Sequence, residues 1–258
     1  MSRASSDILL DAPPPDADVR VAYGPDPLQF GDLRLPAGAG PHPVAVVVHG
    51  GYWQAIHNLT HAGHLCVDLA AHGIATWNVE YRRLGDPGGG WPGTLDDVRR
   101  ALAHVELLAG EHRLDVGRIV LLGHSAGGQL ALLAAPTSPL RLRAVVALAG
   151  VVDLELLDAG GADRGLVRRL LGGAPEELPE RWRDASPREQ LPWPVRTLLV
   201  CGTEDVHWGP NEATATAARE AGGDVELVPL PGASHFELID PAAAEWDVVR
   251  GRIVELLA

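Results

Sequence analysis

The sequence predicts a single α/β domain over residues 1–258, with a mostly parallel eight-stranded sheet flanked by helices and a small helical cap inserted at about 153–193. Three observations point there. A length of 258 residues suits one α/β domain, a size at which a chain buries most of its apolar surface. Short apolar runs alternate with longer segments of helical period, the rhythm of strands joined by crossover helices. Two of the runs, Val44-Ala45-Val46-Val47-Val48 and Ile119-Val120-Leu121-Leu122, are apolar without alternation, as strands covered on both faces must be.

In chain order, strands are expected at Val19 to Tyr23, Phe30 to Leu35, Val44 to Val48, Ala75 to Glu80, Arg118 to Leu122, Ala144 to Leu148, Thr197 to Val200 and Val225 to Pro229. Thr94 to Leu108 carries Leu95, Val98, Leu102, Val105 and Leu108 near helical period. Its opening reads as an N-cap at Thr94 followed by an acidic first turn at Asp96 and Asp97. Ala242 to Leu257 repeats the pattern with Trp246, Val249, Ile253 and Leu257, after Pro241. Asp153 to Trp193 breaks the rhythm with Leu, Arg, Glu, Pro and Gly, and reads as the helical cap. Ala37 to Pro43 and Asp86 to Gly93 read as surface loops.

Composition narrows the function. Hydrophobic residues make up 46% and charged residues 21%, values of a folded globular chain and not of a disordered one. A formal net charge of -13 repels phosphate backbones and anionic lipid, so neither nucleic acid nor membrane is an expected partner. All 21 basic residues are Arg; without a lysine there is no Schiff base, no P-loop lysine and no Ser-Lys dyad. Cys66 and Cys201 lack the spacing of a metal or redox motif and are expected as free buried thiols. The amino-terminal stretch has only Ile8-Leu9-Leu10 as an apolar run, and no run approaches the ~20 apolar residues of a membrane span, so a cytoplasmic location is expected.

Gly123-His124-Ser125-Ala126-Gly127 matches G-x-S-x-G and falls between a strand and a helix, the context in which a serine on a sharp turn becomes a nucleophile. A serine hydroxyl needs a base to take its proton and an acid to orient that base. With the chain order Ser, acid, His, Asp205 follows the strand at Thr197 to Val200, and His235 follows the last strand. Both stand just past the carboxyl end of a strand, where ligand crevices form in open sheets. Glu204 and Asp153 are rival acids, and His207 is a rival base expected at the rim.

His49-Gly50-Gly51-Tyr52-Trp53 follows another strand, and its glycines would expose backbone N–H groups to a developing oxyanion. The expected donors are the amides of Gly51, Tyr52 and Ala126. His49 is expected to be structural, its ring bonded to nearby backbone. His57, His61 and His64 fall at helical spacing, but without the carboxylate or cysteine of a zinc motif they read as surface or partly packed and not as metal ligands. Trp53, Trp91 and Trp208 are candidates for an aromatic substrate pocket, against the alternative of core packing.

These motifs resemble the H-G-G-x-W branch of the α/β-hydrolase fold, which includes arylformamidases (kynurenine formamidases) and small carboxylesterases. The matching residues are His49 to Trp53, Gly123 to Gly127, Asp205 and Ser234-His235-Phe236, with Tyr81-Arg82-Arg83, Trp91-Pro92 and Ala185-Ser186-Pro187 as further likenesses. The resemblance implies a serine hydrolase that cleaves a small-molecule ester or N-formyl aryl amide through an acyl-enzyme, with no metal and no organic cofactor. A peptidase or thioesterase with the same triad, and a hydrolase scaffold that binds a small ligand without turnover, are the alternatives. Substrate and oligomeric state are left open.

Overall fold

A computed structural model of the chain describes residues 13–161 and 165–258. The apolar run at Ile8 to Leu10 and residues 162–164 of the stretch expected as a cap lie outside the described residues. Eight described strands form one sheet: β1 (Val19–Ala22), β2 (Phe30–Arg34), β3 (His42–Val48), β4 (Ala75–Val79), β5 (Leu114–His124), β6 (Ala144–Leu148), β7 (Thr197–Gly202) and β8 (Val225–Leu230). Their order is β1-β2-β4-β3-β5-β6-β7-β8, antiparallel at β1/β2 and β2/β4 and parallel elsewhere.

All eight expected strands are present, and their bounds differ most at β5, which begins at Leu114 instead of Arg118. Asp115 and Gly117 look like turn residues, and Asp115 Oδ1 does accept the Gly117 N–H, yet Leu114 pairs with His42 across a register shift. That pairing is a non-local fact. The helix expected at Thr94 to Leu108 runs over Gly93–His112, and Thr94 does not cap it. Its hydroxyl accepts from Gly90 N–H and donates to the Arg82 carbonyl, while Asp97 is buried and binds the Arg82 guanidinium and Gln29.

The helices are α1 (Gly63–Ala71), α2 (Gly93–His112), α3 (Ala126–Ala134), α4 (Leu154–Ala159), α5 (Leu166–Leu171), α6 (Pro179–Ala185), α7 (Trp208–Glu220) and α8 (Ala244–Leu257). The period-2 alternation of the strands divides the core. Val44, Val46, Val48, Ile119 and Leu121 pack with residues of α2, α3, α7 and the helices α4 to α6, which fall in the stretch expected as a cap. Ala45, Val47, Val120 and Leu122 pack with α1 and α8 on the opposite face. Helices therefore cover both faces, which is why the β3 and β5 runs are apolar throughout.

From β3 the chain passes to β4 on one side, and β5 lies on the other, so the sheet switches direction between β3 and β5. A crevice opens at the carboxyl ends of the strands at such a point. The loop after β3 and the turn after β5 face each other there. No helix of the described residues is long and apolar enough to cross a membrane.

Candidate active site

Ser125 sits between β5 and α3 with φ 55° and ψ -120°, a left-handed conformation that costs a non-glycine residue about 1–3 kcal/mol. Its surroundings impose it. The Ser125 N–H donates to the Leu148 carbonyl and its own carbonyl accepts from Val151 N–H, tying the turn to β6 and the residues beyond it. The flanking glycines are steric necessities: a Cβ at Gly123 would lie 2.2 Å from the Gly127 carbonyl oxygen, and one at Gly127 would lie 2.2 Å from that of Val48. Both contacts are with backbone, which cannot step aside.

Gly50 abuts the same turn, since its Cβ would come 3.1 Å from the Cβ of Ser125. Gly51, Tyr52 and Trp53 all have positive φ (112°, 51° and 55°), so the loop curls over the serine. Gly51, Tyr52 and Ser125 line one cavity of about 400 Å³. Ala126 is the first residue of α3, where helix N–H groups lack an intrahelical acceptor.

On the opposite wall of the cavity, Asp205 Oδ2 accepts a 2.7 Å hydrogen bond from Nδ1 of His235. Burial works to raise the Asp205 carboxyl, but the bond from His235 and the His207 backbone N–H at 2.8 Å hold it below its usual value. Among the described residues the His235 side chain bonds to Asp205 through Nδ1 and makes no direct hydrogen bond to Ser125. Neither rival acid reaches the histidine: Glu204 is exposed at the cavity wall, and Asp153 caps α4 by accepting from Leu156 N–H.

His207 is not at the rim. It is buried in the cavity wall, its ring centroid 5.5 Å from that of His235, and burial lowers its pKa to about 4. Asp205, His207 and His235 are the set of described residues whose ligand atoms, all within 4.8 Å of one another, could hold a metal. The Asp205–His235 bond already satisfies two of the three.

His49 bonds both ways: Nδ1 lies 2.7 Å from the Gly50 carbonyl and Nε2 lies 3.2 Å from Glu80 Oε1, with Tyr81 stacked on the ring at 4.3 Å. Glu80 is a residue that sequence reasoning missed. Its carboxylate also accepts the N–H groups of Leu59 and Tyr81 and pairs with Arg83 at 3.1 Å, so it fastens the loop after β3 to the loop after β4. Burial opposes its charge, yet His49 and Arg83 hold its pKa below the usual value. The signal in the sequence is a lone acid at the end of a strand.

The three histidines expected on one helix separate. His57 lies in a loop at the cavity wall, His64 is in α1, and His61 is buried in a 3₁₀ turn over Leu59–Ala62. His61 belongs to a chain of bonds. His124 Nε2 donates to the His235 carbonyl at 2.9 Å, which leaves Nδ1 of the neutral ring to accept from His61 Nε2 at 2.8 Å. Burial keeps both rings neutral, lowering His61 to about 3 and His124 well below its usual value. The x of G-x-S-x-G is thus the residue that fixes the backbone of His235.

The three candidate tryptophans do not line the cavity. Trp53 is 0% exposed and donates its indole N–H to Gln129 Oε1, because the left-handed turn points it into the core. Trp91 lies in a separate surface depression with Pro92 and Glu177, and Trp208 opens α7 and packs against the second core. The walls are instead His57, His61, Val206, His207 and Phe236. Cys66 and Cys201 are buried free thiols, and burial pushes Cys66 up to about 12.

The chain is 30% identical over 248 residues to Esterase LipC of Mycobacterium tuberculosis, a match that takes in 86% of this chain and 60% of LipC. It therefore spans less than two thirds of that relative. A solved structure of Bacterial Heroin Esterase superposes with a TM-score of 0.78 at 26% identity, covering 93% of this chain and 84% of that one. Esterase B from Lactobacillus rhamnosis, at 18% identity, shares the fold with a TM-score of 0.82 over 98% of this chain and 90% of its own. The BD-FAE family profile matches residues 32–214, which hold the HGG-x-W loop, the serine turn and Asp205. On that match over well more than half its length, the chain belongs to the BD-FAE family of α/β hydrolases.

Proposed function

We propose that the chain is a serine carboxylesterase. The observation that carries this reading is the 2.7 Å His235–Asp205 bond in the cavity that Ser125 enters on its left-handed turn. In the proposed cycle His235 Nε2 takes the Ser125 hydroxyl proton as the oxygen attacks the ester carbonyl. Asp205 orients the resulting imidazolium and stabilises its charge. The amides of Gly51, Tyr52 and Ala126 stabilise the oxyanion, each such donor contributing ~10²–10³ in rate. His235 then returns the proton to the leaving alcohol, and a water activated by the same ring releases the acyl group.

The substrate is a small uncharged molecule, because Val206, Phe236 and the buried neutral rings of His61 and His207 line the cavity, while the carboxylates of Glu204 and Asp205 in the same wall repel an anion. An N-formyl aryl amide would use the same machinery. Ser125→Ala is expected to lower kcat for p-nitrophenyl acetate by ~10⁴-fold or more with an unchanged circular-dichroism spectrum. Undiminished turnover, or failure of a fluorophosphonate probe to label Ser125 in the folded wild type, overturns the assignment. A panel of p-nitrophenyl acetate, formylkynurenine, a thioester and a peptide amide ranks the substrate classes.

A further inference from the structure

A second cavity, of about 190 Å³, lies beside the first and shares two of its walls, Val206 and His207. The remainder of its lining is contributed chiefly by Val152, Leu156, Leu157 and Pro210, from the chain after β6, α4 and the first turn of α7. Its one charged neighbour, Asp153, is occupied: Oδ1 accepts the Leu156 N–H, and the carboxylate lies 3.8 Å from Arg188. Nothing in this lining calls for a polar ligand. Leu156 is 52% exposed and Val206 74% exposed, so apolar surface is left bare at the rim of the pair.

Building on the carboxylesterase reading, we infer that this second cavity is a subsite for the far end of an unbranched apolar chain whose ester carbonyl sits at Ser125, with His207 as the partition the chain must pass. The occupant follows from adjacency, since Val206 and His207 line both spaces. A neutral His207 ring, with its pKa lowered to about 4 by burial, suits an apolar neighbour. Its backbone N–H serves Asp205 whatever its side chain is.

The test measures kcat/KM along two series, p-nitrophenyl alkanoates from acetate to decanoate and acetate esters of butyl to decyl alcohols. The first varies the acyl chain and the second the alcohol. Each methylene received by the subsite is worth about fourfold in kcat/KM. Leu156→Trp fills the subsite from its exposed rim and is expected to lower the long-to-short ratio at least tenfold in one of the series. His207→Ala removes the partition and is expected to raise that ratio; Leu156→Trp decides alone if His207→Ala does not fold. A wild type that hydrolyses the short esters, with ratios unmoved by Leu156→Trp in both series, overturns the subsite and leaves the carboxylesterase standing. No hydrolysis of any ester in either series overturns the carboxylesterase reading itself.

Discussion

The loop after β3 and the loop after β7 both reach the cavity at Ser125, but the first is confined by backbone where it passes the Ser125 turn and the second only at its root. Gly50 and Gly127 bring two backbones so close that no Cβ fits between them, and Glu80 clamps the loop from behind through His49, Leu59 and Tyr81. The second loop is pinned at Gly202, whose Cβ would lie 2.2 Å from the Ala233 carbonyl oxygen, and then opens to the exposed Val206. In the proposed cycle the amides that meet the oxyanion lie beside these backbone-on-backbone contacts. Groups that meet the rest of the substrate are held by side chains, which can change without unmaking the site.

Gly127→Ala strikes the confined side hardest. The new methyl meets the carbonyls of Val48 and His49, so β3 and the Ser125 turn must part. Esterase activity is expected to fall about 10²-fold, with a stability loss of about 1–3 kcal/mol from overpacking. A variant with wild-type kcat and Tm would mean that the two backbones are not in fact locked together.

His61→Gln probes the bond chain behind His235. A buried ring with a pKa of about 3 stays neutral while the unfolded chain takes up a proton below about pH 6.5. The unfolded state then binds more protons, so stability rises with pH across that window and is lost on acidification by about 1.4 kcal/mol per pH unit. Removing the ring should flatten the dependence of unfolding free energy on pH between 6.5 and 4.5 by that amount. His124, neutral for the same reason, leaves a residual slope. An identical slope in variant and wild type contradicts the assignment of a buried neutral His61.

The smallest effect is expected from Trp53→Phe. It leaves Gln129 Oε1 without its indole donor at a cost of about 1 kcal/mol in stability. The order of preference among ester substrates should not change, because the ring never enters the cavity. A reordered substrate panel would return Trp53 to the pocket wall.

The tryptophans show why pocket walls are hard to read from a chain. Trp53 follows a glycine pair in a loop beside the site, which is all the sequence offers; only the φ of 55° turns it inward. His61 and His124 are 63 positions apart, and nothing local hints that their rings bond. Thr94 has the residue type of a cap, but its hydroxyl finds the Arg82 carbonyl, a partner supplied by another part of the chain.

By itself the sequence determined the parts that follow from local chemistry. Strand runs covered on both faces, a serine with glycine two positions away on each side at a strand-to-helix turn, and an acid and a histidine each placed just past a strand are patterns of nearby residues. Adjacent residues share one backbone. Tertiary structure alone decided which side chains wall the cavity, that Glu80 clamps the HGG loop, and that a histidine pair holds the backbone of His235. Those are contacts between residues tens of positions apart, and packing and burial, which depend on the whole fold, select them.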